Sequence, residues 1–230
     1  SMLKGIPFAI LSYASFSFGD AVVKHLGGRV GIFEMGFFIV LFSIIPVVLS
    51  KPGGERWSTA FAMKRPLLVH LRGITGVAGP ILSIYAFTHL PLAEAYALIF
   101  LIPFFITVLS VLILREPVGW RRWAAVLAGF AGILLVIKPG FREIGLAHAA
   151  GIGVALSGGL TVVLLRKLSG TESRTALMLI VIAYALVVNF VLMLPGFAMP
   201  SGIDMMWLGA VGWFSGIRHA LLVHATTFSP

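Results

Sequence analysis

The sequence predicts an all-α, polytopic membrane protein of eight transmembrane helices, built as an inverted five-helix repeat with an incomplete second unit. Three observations point there. Of 230 residues, 59% are hydrophobic and only 11% are charged, and the mean hydropathy is +1.05. A soluble domain is roughly 45–50% apolar and about 25% charged, and a soluble chain of this size has no way to hide so much apolar surface. The apolar residues gather into eight runs suited to a bilayer, and the stretch 86–91 returns, altered, at 225–230.

A helix needs about 20 mostly apolar residues to cross. The runs are 6–23, 32–50, 67–88, 92–114, 123–137, 146–165, 176–194 and 206–225. The fifth is short and must borrow flanking residues. The first follows Lys4 and superficially resembles a signal peptide, but no small-x-small cleavage site precedes Lys24, so it reads as an uncleaved first span. Alternation at period two is missing, which argues against a barrel.

The loops between the runs set the orientation. Lys4, Lys51, Arg56, Lys64, Arg65, Arg115, Arg121, Arg122, Arg166, Lys167 and Arg174 fall on one side. Lys24, Arg29, Lys138 and Arg142 fall on the other. Eleven against four in short loops places the N-terminus in the cytoplasm. The net charge of +9 is then loop charge that fixes topology, and nucleic acid is not implied. The longest loop, 51–65, is cytoplasmic on this reading and short enough to hold at most a surface helix. The chain has no cysteine, which removes disulfides, thiolate metal sites and cysteine catalysis.

AFTHLP at 86–91 aligns with ATTFSP at 225–230, pairing Ala86 with Ala225, Thr88 with Thr227 and Pro91 with Pro230 at an offset of 139. At that offset Gly73 falls on Gly212 and Gly76 on Ser215. The first unit is 1–140 and holds five helices. The second, 141–230, stops after its third. Five is odd, so the second unit enters from the opposite side, the plan of many secondary transporters. The first unit continues beyond Pro91 with two more helices, so a complete second unit implies a ninth and a tenth.

Small residues recur at three- and four-residue spacing on the third span (Gly73, Gly76, Gly79, Ser83) and the eighth (Gly209, Gly212, Gly216). Such spacing lets helices approach closely, and it also leaves room for a cavity between repeat mates. Pro46, Pro80 and Pro103 lie within spans, where each removes a backbone donor, so with Gly76 and Gly212 they are the candidate hinge and packing positions. Asp20, Glu34 and Glu94 fall near the outer ends of their helices, and an acidic mouth there attracts cations or holds a coupling proton. The plainer reading of Glu94 is a first-turn acid favoured by the helix dipole.

Arg72 lies one or two turns from the cytoplasmic end of its span and is expected to snorkel to the boundary. Arg218 lies roughly 18 Å into its helix at about 1.5 Å per residue and must face a cavity or an acid. Its neighbour His219 either titrates or packs through a hydrogen bond. Phe16, Tyr85, Tyr96 and Trp213 are aromatics able to stack on a planar or apolar ligand, and Tyr85 and Tyr96 flank the 89–91 turn, where they could face each other. The candidate cavity is therefore Phe16, Tyr85, Glu94, Tyr96, Trp213, Arg218 and His219. GxSxG, HExxH and a phosphate loop are all missing, so no catalytic residues, metal ligands or cofactor are expected.

The run 90–139 carries Pro91-Leu-Ala-Glu-Ala at a helix start, Pro103 within it, Arg115-Glu116 after it, Trp120 and Trp123 at the next entry and Gly129/Gly132 inside. With SGIRHALLVHATTFSP at 215–230 it resembles the EamA family of the drug/metabolite transporter superfamily. Arg218 departs from the pattern, standing where a small residue is expected. The resemblance implies a ten-helix bundle around a central cavity, in the bacterial inner membrane. It implies alternating access to a small metabolite, such as an amino acid or a related amphipathic compound. The partners are the lipid bilayer, the substrate and a coupling proton, with a second copy of the chain as a further option. The alternative is a non-transporting membrane fragment or assembly partner that needs two further helices.

Overall fold

The computed structural model describes residues 17–51, 54–137 and 144–225, and every regular element among them is a helix. Residues 17–26 form α1. There follow α2 (Ile32–Leu49), α3 (Pro66–His89), α4 (Leu92–Ile99), α5 (Ile102–Leu109), α6 (Trp120–Ile137), α7 (Leu146–Ser169), α8 (Arg174–Met193) and α9 (Gly202–Ala225). α1 turns into α2 through Gly28, whose φ of +84° lies in the left-handed region that a residue without Cβ enters freely. The helix starts agree with the apolar runs to within a few residues, because hydropathy and its interruptions are local properties of the chain. α6 starts three residues before its run, taking in Trp120, Arg121 and Arg122.

By length and composition, five segments are fit to cross a membrane. These are α2, α3, Leu92–Leu114, α7 and Arg174–Gly196. The eight spans expected from the runs are thus matched in part. α6 opens on two arginines and α9 carries Asp204 and Arg218.

The fourth run is one candidate span but not one helix. α4 stops at Ile99, Phe100 and Leu101 form a turn, and α5 begins again with Pro103 near its start. Pro103 has no N–H to give the carbonyl four residues back, so the ladder breaks just before it. α5 then widens into a π-helical turn at Ser110–Leu114, which ends on Arg115 at φ +57°. Lys167 Nζ of α7 donates to the Ile113 carbonyl at 3.1 Å, and Arg166 pairs with Glu116 at 2.8 Å. By contrast, α2 and α3 run unbroken through Pro46 and Pro80.

α2 packs chiefly against α9 and α8, while α3 packs chiefly against α7 and α8. α1 lies on α9, where Phe18 meets Trp207 and Phe214 at ring distances of 5.9 and 6.3 Å. One apolar cluster runs from α1 through α2 and α3 to α4 and includes Leu26, Met35, Phe87, Ala95 and Leu98. A second, with Val47, Val69, Leu165, Leu168, Leu177 and Met178, fills the opposite end of the bundle. α6 touches only α4 and α5 among its stronger contacts, with Phe130 stacked on Phe104 at 5.9 Å.

Candidate functional site

Inside this apolar bundle a few polar side chains meet. Pro91 starts α4 and turns Ala95 and Leu98 inward, which carries Tyr96 towards α1. Its hydroxyl donates to Asp20 Oδ2 at 2.8 Å, and its ring packs edge-on against Phe87 at 5.3 Å. Arg218 of α9 lies within electrostatic reach of Asp20. A charge at membrane depth costs at least about 2.5 kcal/mol unless it is paired or hydrated. The Asp20 charge, across from α1, offsets part of that cost for Arg218. His219, next in sequence, donates from Nε2 to the Met178 carbonyl of α8 at 3.3 Å.

Arg72 corrects an expectation. It does not snorkel: its exposure is 0%. Nη1 donates to the Leu177 carbonyl at 2.6 Å, so Arg72 and His219 reach adjacent carbonyls in the first turns of α8 from α3 and α9. The rotation of α3, fixed by its packing on α7 and α8, turns this residue inward. Sequence gives its depth along the helix but not its face. Beneath it, Thr75 donates to the Arg72 carbonyl at 3.2 Å and Thr161 of α7 donates to Thr75 at 3.0 Å.

The three acids do not form one mouth. Asp20 takes Tyr96. Glu34 is buried in the first turn of α2, against Gly31. Glu94, 7% exposed, sits 3.4 Å from His148 Nε2 of α7. The Gly145 amide donates to His148 Nδ1 at 3.2 Å, so Nδ1 is the acceptor and Nε2 carries the proton that faces Glu94.

Of the other aromatic candidates, Tyr85 stacks on His89 at 4.1 Å, and Tyr96 takes Phe87 and Phe100. The two tyrosines thus choose different neighbours and do not form a ring pair across the turn. Trp213 is 43% exposed on α9, facing away from the polar chain. Phe16 lies outside the described residues. Among the packing positions, Gly212 backs onto Ile39 and Phe42 of α2, Pro46 meets Gly216 of α9, Gly76 backs onto Val181 of α8, and Pro80 is exposed.

Sequence reasoning did not find His148, the Thr75–Thr161 pair or Asn189. Asn189 Nδ2 donates to the Ala185 carbonyl at 2.7 Å, and Oδ1 is buried against Gly36 of α2 without a partner. A lone amide in an otherwise apolar span was the available signal. Two clefts open at the α1–α2 end of the molecule. One, of about 480 Å³, lies between the 27–32 turn and Thr88–His89. The other, of about 390 Å³ and almost wholly apolar, holds Tyr85 with Phe33, Leu82 and Leu146. Neither is lined by Asp20, Tyr96 or Arg72; Arg72 is fully buried, whereas Asp20, Tyr96 and Arg218 are half-buried.

The opposite end is fastened by two glutamates. Glu55, before α3, accepts from the Arg174 and Thr175 amides at 3.2 and 2.9 Å and from the Thr175 hydroxyl at 2.6 Å. Glu172, before α8, accepts from the Lys64 and Arg65 amides at 3.1 and 2.6 Å. Each carboxylate caps the other's helix N-terminus, satisfying amides that a helix leaves without partners. Burial, the largest single influence on the Glu55 carboxyl, pushes it up. The hydrogen bonds from Thr175 and Arg174 and the Arg174 charge together outweigh burial and hold it below its ordinary value of 4.5.

Residues 3–138 match the model of the EamA-like transporter family. The S-adenosylmethionine uptake transporter of Rickettsia prowazekii is 30% identical over 84% of this chain and 64% of its own length. The riboflavin transporter of Vibrio cholerae is 32% identical over 95% of this chain and 73% of its own. The pseudopaline exporter of Pseudomonas aeruginosa is 26% identical over 86% and 69%. This chain therefore spans somewhat under two thirds of the rickettsial protein. No solved structure matches it. With 3–138 covered by the family model, and with the motifs of 90–139 inside it, the chain belongs to the EamA-like transporter family.

Proposed function

We propose that this chain is the core of a secondary transporter that carries a small metabolite across the inner membrane by alternating access, with its N-terminus in the cytoplasm. The observation that carries the reading is the Asp20–Tyr96–Arg218 chain, in which α1, α4 and α9 bring polar groups together inside an apolar bundle. Interior charges in membrane bundles mark substrate and ion pathways. The names of the relatives are all those of transporters, and they support small metabolites as the cargo class. Glu94, paired with His148, is the group for a coupling proton.

The packing supports eight spans in two inverted units, 1–140 and 141–230. With α1, α2 and α3 as repeat mates of α7, α8 and α9, the α2–α9 contact corresponds to α8–α3, and α3–α7 to α9–α1. All four contacts occur, and α2–α8 lies on the pseudo-two-fold. Gly73 backs onto Tyr184 of α8, while Gly212, 139 residues after Gly73, backs onto Phe42 of α2.

Counterflow in proteoliposomes tests the reading with labelled S-adenosylmethionine and riboflavin. Exchange of at least one is expected. Asp20→Asn is expected to lower it by roughly 10-fold or more, since an uncompensated interior arginine costs a few kcal/mol at 1.4 kcal/mol per decade. Tyr96→Phe, which removes one hydrogen bond to a carboxylate, should lower it by about 10-fold. Full exchange in both variants would remove the polar chain from the transport path.

A further inference from the structure

We propose that Arg72 is an anion subsite, with the open Nε/Nη2 edge of its guanidinium taking the carboxylate of the transported molecule. This names the substrate class for the transport reading and rests on it. Three observations converge. Arg72 is completely buried, in the second turn of α3. Only Nη1 is engaged, by the Leu177 carbonyl at 2.6 Å, while Nε and Nη2 are buried without any hydrogen-bond partner. Finally, no acid among the described residues pairs with it.

The identity of the two orphaned atoms matters. A guanidinium is planar, and Nε–H and Nη2–H point in parallel from one edge, spaced to meet both oxygens of a single carboxylate. Nη1, which is used, belongs to the other side. Leu177 therefore fixes the fork and leaves its bidentate edge free. A helix strut would need only the Leu177 bond, which does not require a buried positive charge. The neighbouring charges agree with this assignment. His219 of α9 takes the next carbonyl, Met178, at 3.3 Å, and Asp20 is already matched to Arg218 and Tyr96. The acids at this end, Glu55 and Glu172, are committed to helix amides. None of these acids is left to match Arg72, and a carboxylate supplies the missing negative charge.

The test uses the full chain in detergent and an isosteric pair of probes, acetate and acetamide, at constant ionic strength. Acetate at about ten times its Kd should raise the thermal midpoint by about 3–6 °C, and acetamide should leave it unchanged. Arg72→Met should unfold no lower than the parent without anion, because removing an unmatched buried cation relieves a cost, and it should not respond to acetate. Arg72→Lys keeps the charge without the fork and should lose most of the response. The proposal is overturned by a parent indifferent to acetate, by either variant keeping the full shift, or by an Arg72→Met chain that unfolds well below the parent or does not fold. Counterflow is scored separately. An acetate response without counterflow keeps the site and removes transport, whereas counterflow without an acetate response does the reverse.

Discussion

Gly212→Ala and Gly216→Ala should each destabilise the protein by about 1–3 kcal/mol, and the double variant should fail to accumulate as folded protein. A Cβ at 212 would lie 2.5 Å from the Ile39 carbonyl oxygen and 2.7 Å from Phe42 Cβ. One at 216 would lie 2.5 Å from both the Ser43 carbonyl oxygen and Pro46 Cγ. These obstacles are backbone and a proline ring, which have no rotamer to retreat into, so relief requires α9 to move off α2 over the whole of their contact. Gly209→Ala is the internal control. Its Cβ would meet the Phe42 ring at 3.8 Å, an ordinary contact, and its effect should stay within about ±0.5 kcal/mol. Thermal unfolding in detergent reads all four proteins. Equal effects at 209, 212 and 216 would mean that the stripe sets a general helix spacing and that the contact is not this close.

Replacing both Glu55 and Glu172 by alanine should lower the thermal midpoint by roughly 5–10 °C. Losing a helix cap costs about 0.5–2 kcal/mol, and a protein of this length shifts by about 2–4 °C per kcal/mol. Glu172 is buried and should account for more of the loss than Glu55, which water partly screens. The pH dependence has a definite sign. The Glu55 carboxyl is held below 4.5 in the folded chain, so its contribution is fully present above 4.5. It disappears as the pH falls through the lowered folded value. Glu55→Gln should flatten that part of the acid limb, and an unchanged midpoint-against-pH curve in the variant would remove Glu55 as its source.

What could be read from the sequence was whatever depends on neighbours along the chain. The helix starts at Ile32 and Leu146 coincide with the apolar runs, and Pro103 announced the break at Phe100–Leu101. Glu94 stands in the first turn of α4 as its spacing suggested, but its partner His148 arrives from another helix. Arg72 was placed correctly along α3 and wrongly around it, because helix rotation is decided by α7 and α8 and not by α3 alone. Glu55 and Glu172 carried no local signal. Each is an ordinary loop acid until the fold brings a distant helix terminus to it. Trp213 looked like a cavity residue by type, yet at 43% exposure it faces outward.

The crossed glutamate caps also bear on how the chain is made. The amides of Lys64 and Arg65 wait for a carboxylate 107–108 residues further on. At about 5–20 residues per second, a ribosome reaches Glu172 roughly 5–20 s after α3 has been synthesised. During that interval the start of α3 is solvated by water or headgroups and free to tilt or slide. The start of α3 therefore gains its caps only after α7 has been made, so this end of the bundle is fastened later in synthesis than the helices it joins.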